Sequence, residues 1–490
     1  MKTHYFFCTL LSVFISFQAL CQNLVPNIYD KADSSFASVE IYGLSSSNNI
    51  TPFWLHANQY GIIPKDSPTG ALKVSIQKFW PAASTTNEPR KFRVGIGAEV
   101  VGNRSQNNEI LLPQAYVAMR YKGWELSVGR KKQNVGLADS TLGMGSYAWS
   151  GNAMPLPKIQ LGTMGFIDVP FTKGWLAFNA FYSDGFFEKN RPYTSDLLFH
   201  QKALYLRIGN QNSRLKLIGG INHQVQWSGY SPYETINGKM PSGIKNYFRA
   251  VTGKLYPVGE ELTPFDYENR VGNHLGTIDF GLQYLGFNYH WFFYRQNIYE
   301  DGSLFTLNNL ADGLNGVTIK KQNSYGSNFE INQITLEYLY TKSQGGSQWD
   351  RTIILGRDNY FNHAQVRDGY SYFNRTIGTP FIPPSSDTEW RWPAYWFTAN
   401  NRVAALHLGL QGSVFQKVLW MSKLSVSNNS GIYDVPFEGN PKQFSGILSL
   451  QTHLSILGGS TLKGSVAADM GDLYRKSVGF SLGLRKDFNL

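Results

Sequence analysis

Cysteine is almost missing from this chain: Cys8 and Cys21 are the only two among 490 residues. If export processing cuts after Cys21, none is left, and disulfides, thiol nucleophiles and cysteine-held metals are excluded together. Long apolar runs are missing as well. Past the first residues no stretch of about 18 apolar side chains occurs, which excludes transmembrane helices. Charged residues make up only 16% of the chain. The sequence also lacks H-E-x-x-H, G-x-S-x-G and D-x-[DN]-x-[DN]-G patterns, so zinc-peptidase, nucleophile-elbow and calcium-loop chemistry have no foothold. Gly143-Met-Gly145 does not sit between a strand and a helix, so it offers no phosphate cradle. No cofactor and no metal site are therefore expected.

The N-terminus reads as an export signal covering residues 1–21. Lys2 and His4 give a short basic start, Tyr5 to Phe17 form an apolar run, and Ala19-Leu20-Cys21 supplies small residues before Gln22. Acylation of Cys21 would want an aliphatic residue three positions earlier, and Gln18 stands there. Residues 22–490 are then expected to form one domain. The formal charge of +11 falls to +10 when Lys2 is removed. A basic balance suits lipid phosphates, acidic glycans or nucleic acid, and export argues against nucleic acid.

What is present in quantity is period-two alternation, together with aromatics at 15% and 48 glycines. Val478, Phe480, Leu482 and Leu484 alternate with Ser477, Gly479, Ser481, Gly483 and Arg485, and Phe92, Val94, Ile96, Ala98 and Val100 alternate with Lys91, Arg93, Gly95, Gly97 and Glu99. One face of each strand is greasy and the other small or charged. A sandwich would bury the greasy face, whereas a membrane barrel would turn it toward lipid.

Loop lengths discriminate between these. The pattern predicts 18 strands, near residues 36–45, 70–80, 91–102, 110–121, 123–131, 157–167, 174–183, 199–209, 214–226, 274–286, 288–299, 317–323, 328–341, 396–412, 414–427, 443–455, 459–469 and 476–488. Connections after odd-numbered strands are mostly long and those after even-numbered ones mostly short. That parity belongs to an outer-membrane barrel with periplasmic turns and surface loops. Phe287, Tyr289, Trp291 and Phe293 share one face and fit an interfacial girdle, and the same role is expected of Arg391, Trp392 and Trp396.

Three stretches carry a family resemblance. Thr51-Pro-Phe-Trp-Leu-His-Ala-Asn-Gln-Tyr-Gly61, Trp149-Ser-Gly-Asn-Ala-Met-Pro-Leu-Pro157, and Asp358-Asn-Tyr-Phe-Asn-His363 running through Arg367-Asp-Gly-Tyr370 to Ile377-Gly-Thr-Pro-Phe381 together resemble the capsule assembly Wzi family. The resemblance implies an all-β, 18-stranded antiparallel barrel integral to the outer membrane, acting as a lectin that holds capsular polysaccharide. One departure stands out: founding members carry an N-terminal periplasmic helical bundle, and here the strand pattern begins soon after Asp30.

Sugar recognition uses flat aromatic faces and planar polar groups. The candidate glycan-binding residues are Trp54, His56, Asn58, Gln59, Tyr60, Trp149, Asn152, Arg357, Asp358, Asn362, Asp368 and Tyr370. The same side chains could instead lace long loops together and plug the barrel mouth. The expected partners are capsular or other surface polysaccharide, outer-membrane lipid and polysaccharide export machinery. Enzyme activity is not expected. A porin-like channel and an outer-membrane hydrolase built from strand histidines such as His223, His274, His290 and His407 are the alternatives.

Overall fold

The computed structural model describes residues 35–81, 92–256, 262–300, 308–323, 326–348, 356–389 and 396–490. The expected export signal, residues 1–21, and Arg391 and Trp392 lie outside the described residues. Eighteen wall strands follow in chain order: β1 Phe36–Ser46, β2 Thr69–Trp80, β3 Arg93–Arg104, β4 Glu109–Tyr121, β5 Trp124–Arg130, β6 Pro157–Thr163, β7 Leu176–Phe186, β8 Leu198–Ile208, β9 Leu215–Trp227, β10 Asn273–Leu285, β11 Tyr289–Glu300, β12 Gly313–Lys321, β13 Phe329–Tyr340, β14 Val403–Val414, β15 Val418–Asn429, β16 Lys442–Leu454, β17 Ser460–Gly471 and β18 Ser477–Asn489. A two-residue piece, Ile167–Asp168, adds to the turn before β7.

Each wall strand pairs antiparallel with its neighbours, and β18 closes on β1 in a register that sets Ile41 opposite Leu484. Closure satisfies every edge amide inside the sheet, which is what a lipid surround demands. The alternation then sorts by face. Ile41, Val74, Val466 and Phe480 are exposed on the outside, while Ser75, Glu99, Ser465 and Ser477 are buried inside. Phe287 and Phe293 are exposed at the turn end of the outer face, where Trp291 and Phe293 stack with ring centroids 6.0 Å apart.

Loop parity holds along the chain, with residues 228–272 and 341–402 the longest connections and residues 105–108 and 472–476 the short ones on the long-loop side. Three strand starts differ from the sequence reading by more than two residues, β15 starting at Val418 rather than 414. β12 begins at Gly313 rather than 317, because outward Asn315 pairs with Arg295 Nη1 at 2.6 Å and breaks the greasy row. β14 begins at Val403 rather than 396, so Trp396 belongs to a mouth loop and not to the girdle expected of it.

The connection after β5, residues 131–156, does not rise over the surface as expected of a long loop. It folds into the lumen, where Val135, Leu142, Met144, Tyr147 and Ala148 are fully buried. Its backbone and side chains bond in turn to seven consecutive strands. Ala148 O accepts from Gln224 of β9, Leu137 N donates to Asp279 of β10 at 2.7 Å, and Tyr147 N donates to Gln296 of β11 at 2.8 Å. Asp139 accepts from Thr318 of β12 and Thr335 of β13, Leu142 O accepts from His407 of β14 at 2.6 Å, and Gly143 O accepts from Lys423 of β15. The polar inner face of the wall thus finds partners in the plug.

Candidate functional site

Most of the candidate glycan residues sit in this plug or in the loops packed on it. Helix α1, Phe53–His56, follows β1 and dips into the barrel. Trp54 is buried there, its Nε1 donating to Ser425 Oγ at 3.2 Å with Lys423 Nζ 4.8 Å from the ring centre. Asn58 donates to Met144 O at 2.8 Å, and the Tyr60 backbone N donates to Gly151 O at 2.7 Å. Trp54, Asn58 and Gln59 border a lumenal cavity of about 550 Å³ on the turn side rather than the outer surface. Trp149 is buried with Nε1 on Gln133 O, and Tyr370 is buried with its hydroxyl donating to Gln224 O and Asn273 O.

The third motif stitches the mouth together. Arg357 pairs with Asp434 across two loops, Asp358 accepts from Asn309 Nδ2 at 2.5 Å, and Asn362 exchanges hydrogen bonds of 3.0 Å with both the N and O of Thr398. Asp368 accepts from Thr194 N at 2.9 Å, Thr194 Oγ1 at 2.6 Å and Tyr193 N at 3.2 Å, with Arg191 Nε 3.4 Å away.

Two adjoining clefts open at the mouth on either side of Asn374, Pro384 and Ser386. The first, about 460 Å³, is lined by Glu188, Arg191, Tyr193, Arg367, Asp368, Trp396 and Phe397. Arg367 lies 3.4 Å over the Tyr233 ring, a contact that fixes its guanidinium plane. The second, about 580 Å³, includes His56, Lys65, Asn152, Arg375, Asp387, Glu389 and Arg475. Asn152 donates to Thr376 O at 3.0 Å, and Lys65 pairs with Asp387 at 2.6 Å. Burial, and then the Arg375 and Lys65 cations, hold His56 well below the ordinary imidazole range. It is therefore a neutral hydrogen-bonding group here.

Of the sequence candidates, His56, Asn152 and Asp368 border the clefts. Of the cleft residues that sequence reasoning missed, Arg191 and Tyr193 come from a loop with no motif of its own, whereas Lys65 and Arg375 lie in the loops of the first and third motifs but outside the residues singled out there. Cations and carboxylates in both clefts nearly balance, so they offer stacking faces and hydroxyl partners rather than a strong field. Among the described residues no group of three or more histidines, cysteines or carboxylates could hold a metal ion. His407 Nδ1 lies 2.8 Å from Ser425 Oγ, yet both residues are buried and both groups serve the plug.

Closed wall, greasy exterior, filled lumen and polar mouth define a plugged β-barrel of the outer membrane rather than a soluble sandwich. The sequence profile described as capsule assembly protein Wzi matches residues 57–409, and the chain belongs to that family. A search of curated protein sequences gives no match. Among solved structures, the Escherichia coli outer-membrane protein Wzi, described as involved in group 1 capsule assembly and as a carbohydrate-binding β-barrel, is similar with TM-score 0.59 and 14% identity, covering 93% of this chain and 85% of that one. The Pseudomonas aeruginosa barrel OpdL gives TM-score 0.45 and 10% identity, covering 93% of this chain and 99% of that one.

Proposed function

We propose that this chain is a surface lectin and scaffold that binds capsular or related surface polysaccharide at its mouth clefts and helps keep it attached, without turning it over. The observation that carries this reading is the pair of adjoining clefts, which set Tyr193, Trp396 and the planar groups of Arg367 and Arg475 around one open surface, while buried Arg191 and Asn152 hold the loops beneath it. Family membership supports the capsule connection. The structurally similar Escherichia coli protein is itself described as binding carbohydrate. Rings packing on sugar C–H faces and forked donors on hydroxyls give modest affinity per residue, which an extended polymer multiplies by repetition.

Detergent-solubilised protein immobilised on a support is expected to retain polysaccharide taken from the surface of its own cells. Tyr193→Ala and Arg367→Ala should each weaken retention about five- to tenfold, corresponding to about 1–1.4 kcal/mol. Unchanged retention in both variants would move the site elsewhere. No retention at any salt concentration would end the lectin reading. In cells lacking the protein, glycan should appear free in the medium.

A further inference from the structure

The connection between β9 and β10 leaves the mouth and comes down the outside of the wall. On β9 the inward row is Asn222, Gln224 and Gln226, with Gln224 and Gln226 bonded to the plug and the mouth loop. The outward row begins with exposed Leu215, Leu217 and Ile221 and continues upward through His223, Val225 and Trp227. Val225 and Trp227 should then face outward freely, yet both are buried, clustered with Ala250 and Val271. Neighbouring strands repeat this. Lys202 of β8 donates to Val251 O, Asp184 of β7 accepts from Tyr247 at 3.1 Å, and His274 of β10 bonds Val271 O at 3.0 Å.

The cover is helix α2, Ile244–Thr252, and the three sectors of its circumference differ in chemistry. Tyr247 and Ala250 pack on Val225 and Trp227 of the wall, and Val251 is buried beside them. Next to them, on the i, i+4 line, Ile244 and Phe248 are 72% and 60% exposed. The remaining sector carries Lys245 and Arg249, followed past the helix by Lys254, with no carboxylate from Lys239 through Lys254. Two adjacent exposed apolar side chains between a buried sector and a basic one form a graded amphipathic helix. A helix lying in a membrane interface has this build.

We propose that α2 is an interfacial anchor that binds the phosphate-bearing outer leaflet, with Ile244 and Phe248 entering the acyl boundary and Lys245, Arg249 and Lys254 meeting headgroup phosphates. The site continues the lipid-facing band directly below it, where Leu204, Ile221 and Phe280 are exposed. It also explains why polar His200, Lys202, His223 and His274 are tolerated on the outer face: the helix, not lipid, is their neighbour.

The test is a nitroxide at Phe248→Cys, with Cys8 and Cys21 removed by processing or changed to Ser, in the full barrel reconstituted into phosphatidylcholine vesicles with and without phosphatidylglycerol. Collisions with oxygen should exceed those with a water-soluble nickel chelate, and the probe should sit deeper in the anionic vesicles. Lys245→Glu with Lys254→Glu should erase that lipid difference while the barrel still shifts on a gel after boiling. Preferential quenching by the nickel chelate would overturn the proposal, as would equal depth in both lipids. Dipolar broadening between labels would also overturn it, by making a second copy the occupant.

Discussion

At the scale of single residues, His363 shows how the mouth loops spend titratable groups on structure. Its Nδ1 accepts from Val366 N at 3.2 Å, a role only the neutral ring can play, and burial pulls its pKa down to about 3. The unfolded chain takes up this proton near the ordinary histidine value of about 6.5 while the folded chain refuses it until far lower pH. Folded stability is therefore full above about pH 6.5 and falls below it, at up to about 1.4 kcal/mol per pH unit. His363→Gln should flatten that slope in urea unfolding measured from pH 7 to pH 4, and an unaltered slope would show that the ring is charged or open to water. Trp54 presents the same logic in an apolar group. With its ring buried against Phe53 and Phe381 and its Nε1 bonded to Ser425, Trp54→Ala should cost about 3–5 kcal/mol of stability. Glycan retention per folded molecule should stay within about twofold, a smaller change than the 1 kcal/mol expected of a stacking residue at the clefts.

At the scale of elements, the segment 131–156 fills the lumen, and its packing is expected to decide whether the barrel conducts. Asp139 accepts from Thr141 N at 2.9 Å, Leu142 N at 3.0 Å and Thr335 Oγ1 at 2.8 Å, and Glu337 accepts from Tyr294 at 2.5 Å and from Met144 N. Removing either carboxylate takes the acceptor from a buried donor, Thr335 Oγ1 for Asp139 and Met144 N for Glu337, at about 1–3 kcal/mol each. The native barrel should thus be nearly silent in planar bilayers, and Asp139→Ala with Glu337→Ala should open frequent, flickering conductance steps. Steady porin-like current from the native chain would revive the channel reading. The wall strands were legible from sequence because lipid on one side and polar plug on the other impose strict alternation. Legibility failed where that cause was absent: at Asn315, which faces outward but bonds Arg295, and at Trp396 and Phe397, whose apolar character serves the mouth. The plug was read as a surface loop because its polar residues resemble loop residues. Its buried Leu137, Leu142, Met144 and Tyr147 were the available signal. The clefts were hardest to foresee, since Arg191 reaches Arg367, and Lys65 reaches Asp387, only through folding of separate loops.

At the scale of the whole molecule, closure makes position along a strand an energetic coordinate. Val466 lies mid-strand on the outer face of β17, whereas Ile110 is the second residue of β4, at the loop end. Both are exposed and apolar, so a soluble fold would treat lysine at either position alike. A bilayer would not: lysine near the midplane costs about 2–4 kcal/mol and near the interface about 0–1 kcal/mol. Val466→Lys should therefore lower the unfolding free energy in lipid vesicles several times more than Ile110→Lys, with both variants keeping the mobility shift on boiling. Equal penalties would mean that the greasy band meets something other than hydrocarbon. The same gradient explains why the chain can afford outward His223 and His274 only at the loop end of the wall, where α2 covers them.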